Sequence, residues 1–280
     1  MRIGLITSTP DAMGEVDIDM PPLTAAFAAE GIEAVPAIWH DRGVGWHDFD
    51  ALVIRSPWDY PDRPGDFMSW LDSLTVPVFN PRELIRWNLD KVYLVELAGA
   101  GVPIVATSVC TDLDQVRAAL PTGPVVIKPT VSAGSRDTGL FAAGDPAALA
   151  LAETIVAKGK VPMVQPAIAS VAAVGEAALL YFGGVFSHAV RKGPLLAPGG
   201  GLIGGVYAEV IDPHTPTATE MAVAEAALAA VTERFGTPLY ARFDIVDGSM
   251  LLEAELFEPS VFLEYADGAA ERFVGACSAL

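Results

Sequence analysis

The sequence predicts an α/β protein, and three features of its patterning support this fold class. Short apolar runs alternate with a helix-like segment in the first third of the chain, which is typical of a parallel sheet covered by helices. Later in the chain, Gly183-Gly184 and Asp247-Gly248 separate strand-like runs, which predicts antiparallel hairpins. The chain has 280 residues, of which 52% are hydrophobic and 19% charged, so it is globular and long enough for several lobes.

The first third of the chain shows the order of elements that a parallel α/β sheet requires. Its predicted elements are, in chain order, a strand over 2–7, a helix over 22–31, and strands over 32–38, 51–54 and 76–80. The helix is predicted to end at Gly31, because glycine readily adopts the left-handed conformation that terminates helices. We place the boundary of this first lobe near residues 80–90.

The segment Arg55-Ser56-Pro57-Trp58-Asp59-Tyr60 follows the third of these strands. Ligands of parallel sheets gather at the carboxyl ends of the strands, so Arg55, Asp59 and Tyr60 are predicted to contact a substrate. The residues leave one alternative open, which is a proline-containing turn held by a contact between arginine and aspartate.

The middle of the chain is predicted to combine helices with strands. The predicted elements are a helix over 84–100, a strand over 125–129, a helix over 146–158 and a strand over 161–168. Lys128 lies at the end of the first of these strands and precedes a small, polar loop over 130–139. Backbone N–H groups of such a loop can bind phosphate oxygens, and the lysine adds a positive charge. These features indicate a phosphate-binding site.

The following segment is predicted to contain a hairpin, a glycine-rich loop and a long helix. The predicted elements are strands over 176–182 and 185–191, a loop over 193–205, a strand over 206–211 and a helix over about 216–235. The glycines Gly199, Gly201 and Gly204 match the spacing of the dinucleotide-binding fingerprint, but that fingerprint follows a strand and opens a helix. Here Pro198 precedes the glycines and a strand-like run follows them, so we interpret the segment as a loop that covers a ligand.

The hairpin near the end of the chain is acidic on one predicted face. With a two-residue turn at Asp247-Gly248, Arg242 is predicted to lie opposite Glu253. Because side chains alternate between the faces of a strand, Arg242, Asp244, Glu253 and Glu255 are predicted to share one face. Close carboxylates raise one another's pKa unless a cation lies among them, and their oxygens suit Mg²⁺ or Mn²⁺ bridged to phosphates. The alternatives are a solvated acidic face and a structural salt bridge to the arginine.

Composition and charge exclude several functional classes. The net charge of −18 argues against partners such as nucleic acid or an anionic membrane surface. The two cysteines, Cys110 and Cys277, lack metal-ligand spacing and are predicted to be free thiols in a reducing cytoplasm. We see no signal peptide and no apolar stretch of the roughly 18 residues that would span a bilayer. His188 is interpreted as a packed residue, and the mean hydropathy of +0.41 is compatible with a homodimer.

An ordered set of motifs resembles the ATP-grasp enzymes from Met1 to about Phe262. The motifs are Asn88-Leu89-Asp90-Lys91, Val126-Ile127-Lys128-Pro129, Ser132-Ala133-Gly134-Ser135, Val164-Gln165-Pro166-Ala167-Ile168, Phe186-Ser187-His188-Ala189-Val190-Arg191-Lys192 and Glu253-Ala254-Glu255-Leu256-Phe257-Glu258-Pro259-Ser260. The resemblance implies a three-lobed fold. Residues 1–85 would form an N-terminal parallel α/β domain, residues 86–168 a central region with a hinged α+β lid, and residues 169–280 a catalytic lobe with the metal site.

The resemblance also implies roles for individual residues. The implied ATP-binding residues are Lys91, Lys128, Ser132, Gly134, Ser135, Gln165, Pro166, Ala167, Ile168 and Glu176. The implied ligands of Mg²⁺ or Mn²⁺ are Asp244, Glu253 and Glu255, the last at a position where the family often has asparagine. Lys128, Arg191 and Arg242 would neutralise charge during catalysis. The implied substrate contacts are Arg55, Asp59, Tyr60 and Glu258.

Within the superfamily, the chain resembles the glutathione synthetase-like and ribosomal-protein glutamate ligase-like branch. The segments over 55–60 and 186–192 are most similar to the cyclo-ligases that form D-cycloserine from O-ureido-D-serine in antibiotic pathways. The resemblance implies that ATP converts a substrate carboxylate into an acyl phosphate, which a nitrogen then attacks. The alternatives are an intermolecular carboxylate–amine ligase, a kinase that stops at phosphoryl transfer, and a non-catalytic ATP-binding module.

Overall fold

Three sheets organise the part of the chain that the computed structural model describes, which is residues 1–9 and 16–279. The first sheet is parallel, with the strand order β2-β1-β3-β4. Its strands are β1 (Arg2–Thr7), β2 (Glu33–Ile38), β3 (Ala51–Ser56) and β4 (Val78–Phe79), and its helices are α1 (Met20–Ala29) and α2 (Pro64–Ser73). The predicted parallel α/β pattern is confirmed, although the strand predicted over 76–80 pairs only at Val78 and Phe79.

The burial of this first sheet follows from its sequence. Every residue of β3 is buried, which is typical of a parallel strand with both faces covered. In α1, Leu23, Ala26 and Phe27 are the buried residues, and their spacing places them on one side of the helix. Gly31 has a φ of +70°, so it adopts the left-handed conformation predicted for the end of this helix.

The single helix predicted over 84–100 is wrong, because the chain forms α3 (Arg82–Asn88) and α4 (Tyr93–Gly99) instead. The Asn88 side chain donates to the Ala254 carbonyl and accepts from the Leu256 N–H, both at 2.8 Å. The Lys91 N–H donates to the Thr130 carbonyl at 2.8 Å, outside the helical pattern. Tertiary hydrogen bonds therefore replace helical ones at the break and turn Lys91 towards the second sheet.

The second sheet is antiparallel, with the strand order β5-β8-β6-β7. Its strands are β5 (Ser108–Val109), β6 (Val125–Pro129), β7 (Gly139–Phe141) and β8 (Pro162–Pro166), and its helices are α5 (Leu113–Ala119) and α6 (Pro146–Ala157). The buried residues of α6 are Ala148, Ala152 and Ile155, which pack against the sheet. Lys128 is near the end of β6, followed by the loop over 130–138, as the sequence predicts.

The third sheet is antiparallel, with the strand order β11-β10-β9-β12-β13. Its strands are β9 (Glu176–Phe182), β10 (Val185–Lys192), β11 (Ile211–Pro213), β12 (Tyr240–Val246) and β13 (Met250–Glu255). The hairpin predicted at Gly183-Gly184 is confirmed, and both glycines have a positive φ, at 56° and 78°.

The strand predicted over 206–211 is wrong. Residues Ile203–Gly205 form a short 3₁₀ turn, and pairing with β10 begins only at Ile211. Val206 and Val210 are exposed, so their apolar side chains have no sheet to pack against. The glycine-rich loop therefore continues past Gly205 to residue 210.

The acidic hairpin has a different register from the prediction but the same face. Its turn contains three residues, Asp247 to Ser249, and a bulge interrupts the pairing after Asp244. Arg242 consequently lies opposite Glu255 rather than Glu253. The longer turn and the bulge each shift the register by one residue, which makes a total shift of two residues. Only a shift by an odd number of residues moves the side chains to the other face, so the predicted face is kept.

Helices α7 (Ala169–Val174), α8 (Ala218–Phe235) and α9 (Ala269–Ala279) complete the fold. The α8 helix begins with a capping box in which Thr217 and Glu220 exchange hydrogen bonds. Between Val223 and Val231, the buried residues of α8 pack in the core formed with the third sheet. None of the described helices is both long and apolar enough to cross a bilayer.

Candidate active site

A cleft with a volume of about 230 Å³ lies between the second and third sheets. It brings together segments that are far apart in the sequence, which are the break before α4, the loop after β6, the end of β8 and the acidic hairpin. The predicted residues that line it are Lys91, Lys128, Ser132, Gly134, Ser135, Gln165, Pro166, Ala167, Ile168, Glu176, Arg242, Asp244, Glu253, Glu255 and Glu258.

Two buried lysines flank one carboxylate at the centre of the cleft. Lys91 Nζ lies 3.0 Å from Glu253 Oε1 and donates to the Ser132 carbonyl at 2.8 Å, and Lys128 Nζ lies 3.7 Å from Glu253 Oε2. Burial opposes the charge on Glu253, but the two lysines lower its pKa to about 2. Burial lowers the pKa of Lys128. Burial also opposes the charge on Lys91, but Glu253, Glu258 and Glu255 together outweigh it and raise the pKa of that lysine. Two cations around one anion leave a positive charge that phosphate oxygens can neutralise.

A second set of charges lies on the acidic hairpin. Arg242 donates from Nε to Asp244 Oδ1 at 2.9 Å and also pairs with Glu255. Lys192 Nζ donates to Asp244 Oδ2 at 2.6 Å and lies 3.2 Å from Glu176 Oε2. Burial raises the pKa of Glu255 to about 7. Arg242 lowers this pKa, but the negative charges of Asp244 and Glu253 oppose that lowering. The carboxylates of this face are thus interleaved with cations.

Lys192, rather than the predicted Arg191, lines the cleft. Arg191 is on the other face of β10, where it donates to His214 Nε2 at 2.8 Å and lies 3.3 Å from Glu220. An unbroken hairpin at Gly183-Gly184 would pair Arg191 with Glu176, but a bulge between Phe186 and His188 shifts the register by one residue. The family resemblance implies a role for Arg191, whereas the structure turns its neighbour Lys192 to the cleft, because of a bulge that the sequence does not reveal.

Three predicted substrate contacts do not line the cleft. Arg55 is 0% exposed, and its Nη2 lies 3.6 Å from Asp19 Oδ2. Asp59 accepts from Trp39 Nε1 at 2.6 Å and from Arg63 at 2.7 Å. The segment therefore contains an arginine–aspartate contact, as the alternative interpretation proposed, but the arginine is Arg63 rather than Arg55. These buried side chains support the N-terminal lobe.

Tyr60 is the third predicted substrate contact that does not line the cleft. It is buried and donates to Glu258 Oε1 at 3.0 Å. Glu258 does line the cleft, and burial raises its pKa to about 8, with the charge of Glu255 adding to the effect. Tyr60 therefore reaches the cleft only through Glu258. Trp58 is the member of the segment that lines the cleft, and its Nε1 donates to the Glu258 carbonyl at 2.9 Å.

Part of the cleft lining is apolar. It is lined by Val126, Leu140, Pro166, Ala167, Ile168, Val171, Ala172, Pro194, Leu195, Leu196 and Leu252. Several of these residues belong to the glycine-rich loop, which is tied to β7 by a hydrogen bond from the Gly199 N–H to the Leu140 carbonyl at 2.9 Å. The loop thus covers the cleft, as the sequence analysis expects. A lining that is apolar in part and cationic in part suits a planar base joined to phosphates.

Sequence reasoning missed several other residues of the cleft. Tyr207, Glu209 and Ser260 line it in addition to Trp58 and Lys192. Tyr207 and Glu209 lie in the segment that was predicted to be a strand, and this error hid their position. Ser260 ends a predicted motif, but its carbonyl rather than its side chain contacts Arg242, at 3.0 Å.

The predicted metal ligands are paired with protein cations. Among residues 1–9 and 16–279, no group of three or more His, Cys, Asp or Glu side chains is arranged to hold a metal ion. Mg²⁺ at nucleotide sites is typically held by one or two carboxylates together with phosphate oxygens and water. The donor set of Asp244, Glu253 and Glu255 fits that chemistry, in which the nucleotide supplies the remaining ligands.

Comparisons with known proteins agree on the kind of protein to which this chain is similar. Residues 3–80 match the family described as the N-terminal domain of D-cycloserine synthetase DcsG. The cycloserine biosynthesis protein DcsG of Streptomyces lavendulae is 36% identical over an alignment 297 positions long, which covers 98% of each chain. The crystal structure of D-cycloserine synthetase DcsG superposes with a TM-score of 0.91 at 34% identity, covering 100% of this chain and 99% of the other.

A more distant structure has the same fold. The RimK domain ATP-grasp protein of Sphaerobacter thermophilus superposes with a TM-score of 0.68 at 20% identity, covering 99% of both chains. The predicted fold class is therefore confirmed as an α/β protein with the ATP-grasp fold.

Proposed function

The chain belongs to the D-cycloserine synthetase family, and we propose that it is an ATP-dependent carbon–nitrogen ligase of cycloserine biosynthesis. ATP would activate the carboxylate of a small, amino-acid-like substrate, and a nitrogen would then displace phosphate. The specific reaction that we propose is the closure of O-ureido-D-serine to D-cycloserine within one molecule.

The position of Lys91 and Lys128 around Glu253 supports this proposal most directly. Both ammonium groups are buried beside the loop over 130–138, whose small residues allow close approach of a phosphate group. Apolar residues at the end of β8 and in the glycine-rich loop line the same cleft and would accommodate the base. We infer that ATP binds with its phosphates at the lysines and its base among these apolar residues.

In the first step, a substrate carboxylate oxygen attacks the γ-phosphorus, and the bond from that phosphorus to the ADP oxygen breaks. Lys128 and Arg242 carry positive charge at the two ends of the acidic hairpin's face, where the negative charge of the phosphoryl oxygens develops. This reaction needs positioning and charge neutralisation rather than a nucleophilic side chain. The chain's lack of a cysteine or histidine in the described cleft lining is consistent with that requirement.

In the second step, a nitrogen attacks the carbonyl carbon of the acyl phosphate, phosphate leaves and the nitrogen loses a proton. In ring closure, the attacking nitrogen is the oxygen-bound nitrogen of the ureido group of the same molecule. One water molecule then hydrolyses the carbamoyl group on this nitrogen, which is lost as carbon dioxide and ammonia after the acyl phosphate has been consumed. Acyl phosphates hydrolyse readily, so water must be excluded during this step. The glycine-rich loop and the loop over 130–138 cover the cleft and suit that role.

We propose that Mg²⁺ or Mn²⁺ is held by Asp244, Glu253 and Glu255 together with oxygens of ATP. A bound divalent ion neutralises phosphoryl oxygens and aligns them for transfer. The raised pKa values of Glu255 and Glu258, about 7 and about 8, reflect burial together with a local excess of negative charge. A cation at this face would relieve that repulsion.

Release of ADP and phosphate tests the proposal when it is measured with ATP, Mg²⁺ and single substrates. The panel contains O-ureido-D-serine, its L-enantiomer, and D-serine with and without an amine, and mass spectrometry identifies the products. We expect release that depends on O-ureido-D-serine, with D-cycloserine as the product. A joined pair of molecules would indicate an intermolecular ligase, a stable phosphorylated product a kinase, and ATP binding without release a non-catalytic module.

A further inference from the structure

The carboxylate of Asp19 holds the backbone of the loop formed by residues 260–263. Its Oδ2 accepts from the N–H groups of Val261 at 2.7 Å and Phe262 at 3.2 Å, and its Oδ1 accepts from that of Leu263 at 2.8 Å. Asp19 directly precedes α1 and is 1% exposed. A side chain of the N-terminal lobe therefore fixes three consecutive peptide groups of the catalytic lobe.

Arg55 lies behind this carboxylate. Its Nη2 is 3.6 Å from Asp19 Oδ2 and 3.9 Å from Asp17 Oδ2, and its guanidinium carbon is 5.6 Å from the centre of the Tyr240 ring. The guanidinium is fully buried, and none of its nitrogens has a hydrogen-bond partner among the described residues. A buried charge is tolerated only beside an opposite charge, so Arg55 and the aspartates stabilise one another.

The other side of the loop faces Arg242 in the cleft. The Ser260 carbonyl accepts from Arg242 Nη1 at 3.0 Å, and the ring of Phe262 lies 5.5 Å from the guanidinium carbon. Phe262 has a φ of +51°, a left-handed conformation that a phenylalanine keeps only when its surroundings impose it. The hydrogen bonds that Asp19 accepts impose it, since they hold the N–H groups of Val261 and Leu263 as well as that of Phe262 itself.

The conformation of this loop sets the direction of Arg242. The Nε and Nη2 atoms of Arg242 are held by Asp244 at 2.9 and 3.0 Å, while the loop supplies the partner of Nη1 and a ring against the guanidinium. A loop that relaxed would remove the contacts on one side and leave those on the other. The guanidinium could then tilt within the cleft, and misplacement by about 1 Å can cost about 100-fold in rate.

We propose that Asp19 and Arg55 are positioning residues of the reaction, which hold residues 260–263 in the conformation that orients Arg242. The inference rests on the proposed function, because it concerns a reaction in which Arg242 neutralises charge. It gives Arg55 a different role from the predicted contact with substrate: Arg55 acts through Asp19 and never touches the ligand. The substrate-side lobe thereby controls a cationic group of the catalytic lobe.

A double-mutant cycle tests this coupling between Asp19 and Arg242. The variants are Asp19→Asn, Arg242→Lys and the double variant, and kcat and KM are measured for release of phosphate. We expect Asp19→Asn to lower kcat/KM about 10- to 100-fold in the wild-type background, but less than about threefold when Arg242 is already lysine. An equal loss in both backgrounds would overturn the proposal.

Asp145→Asn is the matched control, because Asp145 also accepts a backbone N–H, that of Ala147 at 2.9 Å, but does so at the start of α6 outside the cleft. It is expected to lower the melting temperature without coupling to Arg242→Lys. If Asp19→Asn does not fold, Arg55→Lys replaces it, since a lysine keeps the positive charge while changing its position. The same background-dependent loss of kcat/KM is expected, and a loss independent of Arg242 would again overturn the proposal.

A second measurement does not depend on turnover. In protein labelled with ¹⁵N-arginine, the Nη1–H signal of Arg242, whose partner is the Ser260 carbonyl, is identified by its loss in Arg242→Lys, and its hydrogen exchange is then followed. We expect Asp19→Asn to accelerate this exchange at least about tenfold and Asp145→Asn to leave it unchanged. Unaltered exchange in Asp19→Asn would contradict the positioning role, whereas faster exchange in a protein with no ligase activity would uphold it and refute only the proposed function.

Discussion

At the scale of single residues, the site consists of cations and carboxylates whose charges depend on one another. Lys91 and Lys128 keep Glu253 ionised, and Lys192 joins Asp244 to Glu176. Removal of one member leaves the others buried without a partner, which is costly for binding as well as for stability. The next two predictions concern such residues, and the third concerns a buried histidine outside the cleft lining.

Substitution of Glu253 by glutamine is expected to abolish turnover and to lower the melting temperature while leaving the fold intact at the temperature of the assay. The change removes one proposed metal ligand and the anion between Lys91 and Lys128, so ATP is no longer aligned. We expect a fall in kcat of at least about 100-fold. Circular dichroism and the melting temperature provide the check on the fold. Unfolding without any effect of metal would mean that the hairpin is structural and that the proposed site is wrong.

Lys192→Met and Arg191→Met distinguish the two faces of β10. Lys192 lines the cleft beside Asp244, whereas Arg191 contacts His214 and Glu220 on the opposite face. Lys192→Met removes a cation from the cleft, and we expect it to lower kcat/KM at least about tenfold. Arg191→Met removes a cation from the opposite face, and we expect it to lower the melting temperature while kcat/KM stays within about threefold of the wild-type value. Steady-state kinetics of both variants test which of the two residues acts at the cleft. A larger loss of kcat/KM in Arg191→Met than in Lys192→Met would refute the assignment of Lys192 to the cleft.

His188 is expected to make stability depend on pH. Burial lowers its pKa from 6.5 to about 4, its Nε2–H donates to the Val261 carbonyl at 2.9 Å, and the folded state favours the neutral ring. The stabilisation is therefore complete above pH 6.5 and is lost as the pH falls towards 4, by about 3 kcal/mol in total.

The variant His188→Gln keeps an N–H donor for Val261 but does not titrate in this range. The difference in the free energy of unfolding between wild type and variant isolates the histidine, because all other groups titrate in both. We expect this difference to change by about 3 kcal/mol between pH 7 and pH 4, to the disadvantage of the wild type. A constant difference across that range would show that the folded histidine titrates normally.

At the scale of elements, loops rather than strands join the lobes above the cleft. Arg136, in the loop over 130–138, donates to the Trp58 carbonyl at 2.8 Å and pairs with Asp62 at 2.7 Å. Both partners belong to the N-terminal lobe, so this arginine ties the loop after β6 across the cleft. If the loop excludes water from the acyl phosphate, this contact should protect the intermediate.

Arg136→Gln is expected to increase the hydrolysis of ATP that yields no ligated product. Without the arginine, the loop can open while the acyl phosphate is present, and water can attack it. The ratio of released phosphate to product is expected to rise from about one to at least about two. Arg117→Gln serves as the control, since Arg117 pairs with exposed Asp114 on the surface of α5. An unchanged ratio in Arg136→Gln would rule out a role for this contact in water exclusion.

At the scale of the whole molecule, patterns with a short range were the easiest to predict. The parallel alternation of the first lobe and the Gly183-Gly184 hairpin follow from local propensity and turn chemistry. The shared face of the acidic hairpin was predicted correctly despite the wrong register. Side chains alternate between the two faces of a strand, so two shifts of one residue each return them to the same face.

Features set by distant contacts could not be predicted in this way. The break between α3 and α4 depends on hydrogen bonds that the Asn88 side chain exchanges with Ala254 and Leu256, more than 160 residues later. The bulge in β10 places Lys192 instead of Arg191 at the cleft. It could not be predicted, because the alternation of side chains along a strand does not show where a bulge occurs. Arg55 illustrates a further limit, since its residue type suggests a ligand contact, whereas its complete burial places it behind the site.

The transfer of oxygen from substrate to phosphate tests the central claim most directly. O-ureido-D-serine labelled with ¹⁸O in both carboxylate oxygens is converted with unlabelled ATP, and the released phosphate is examined by mass spectrometry. If the carboxylate attacks the γ-phosphorus and a nitrogen displaces the acyl phosphate, each phosphate carries one ¹⁸O atom and one remains in D-cycloserine. Unlabelled phosphate formed alongside the ring would contradict activation through an acyl phosphate.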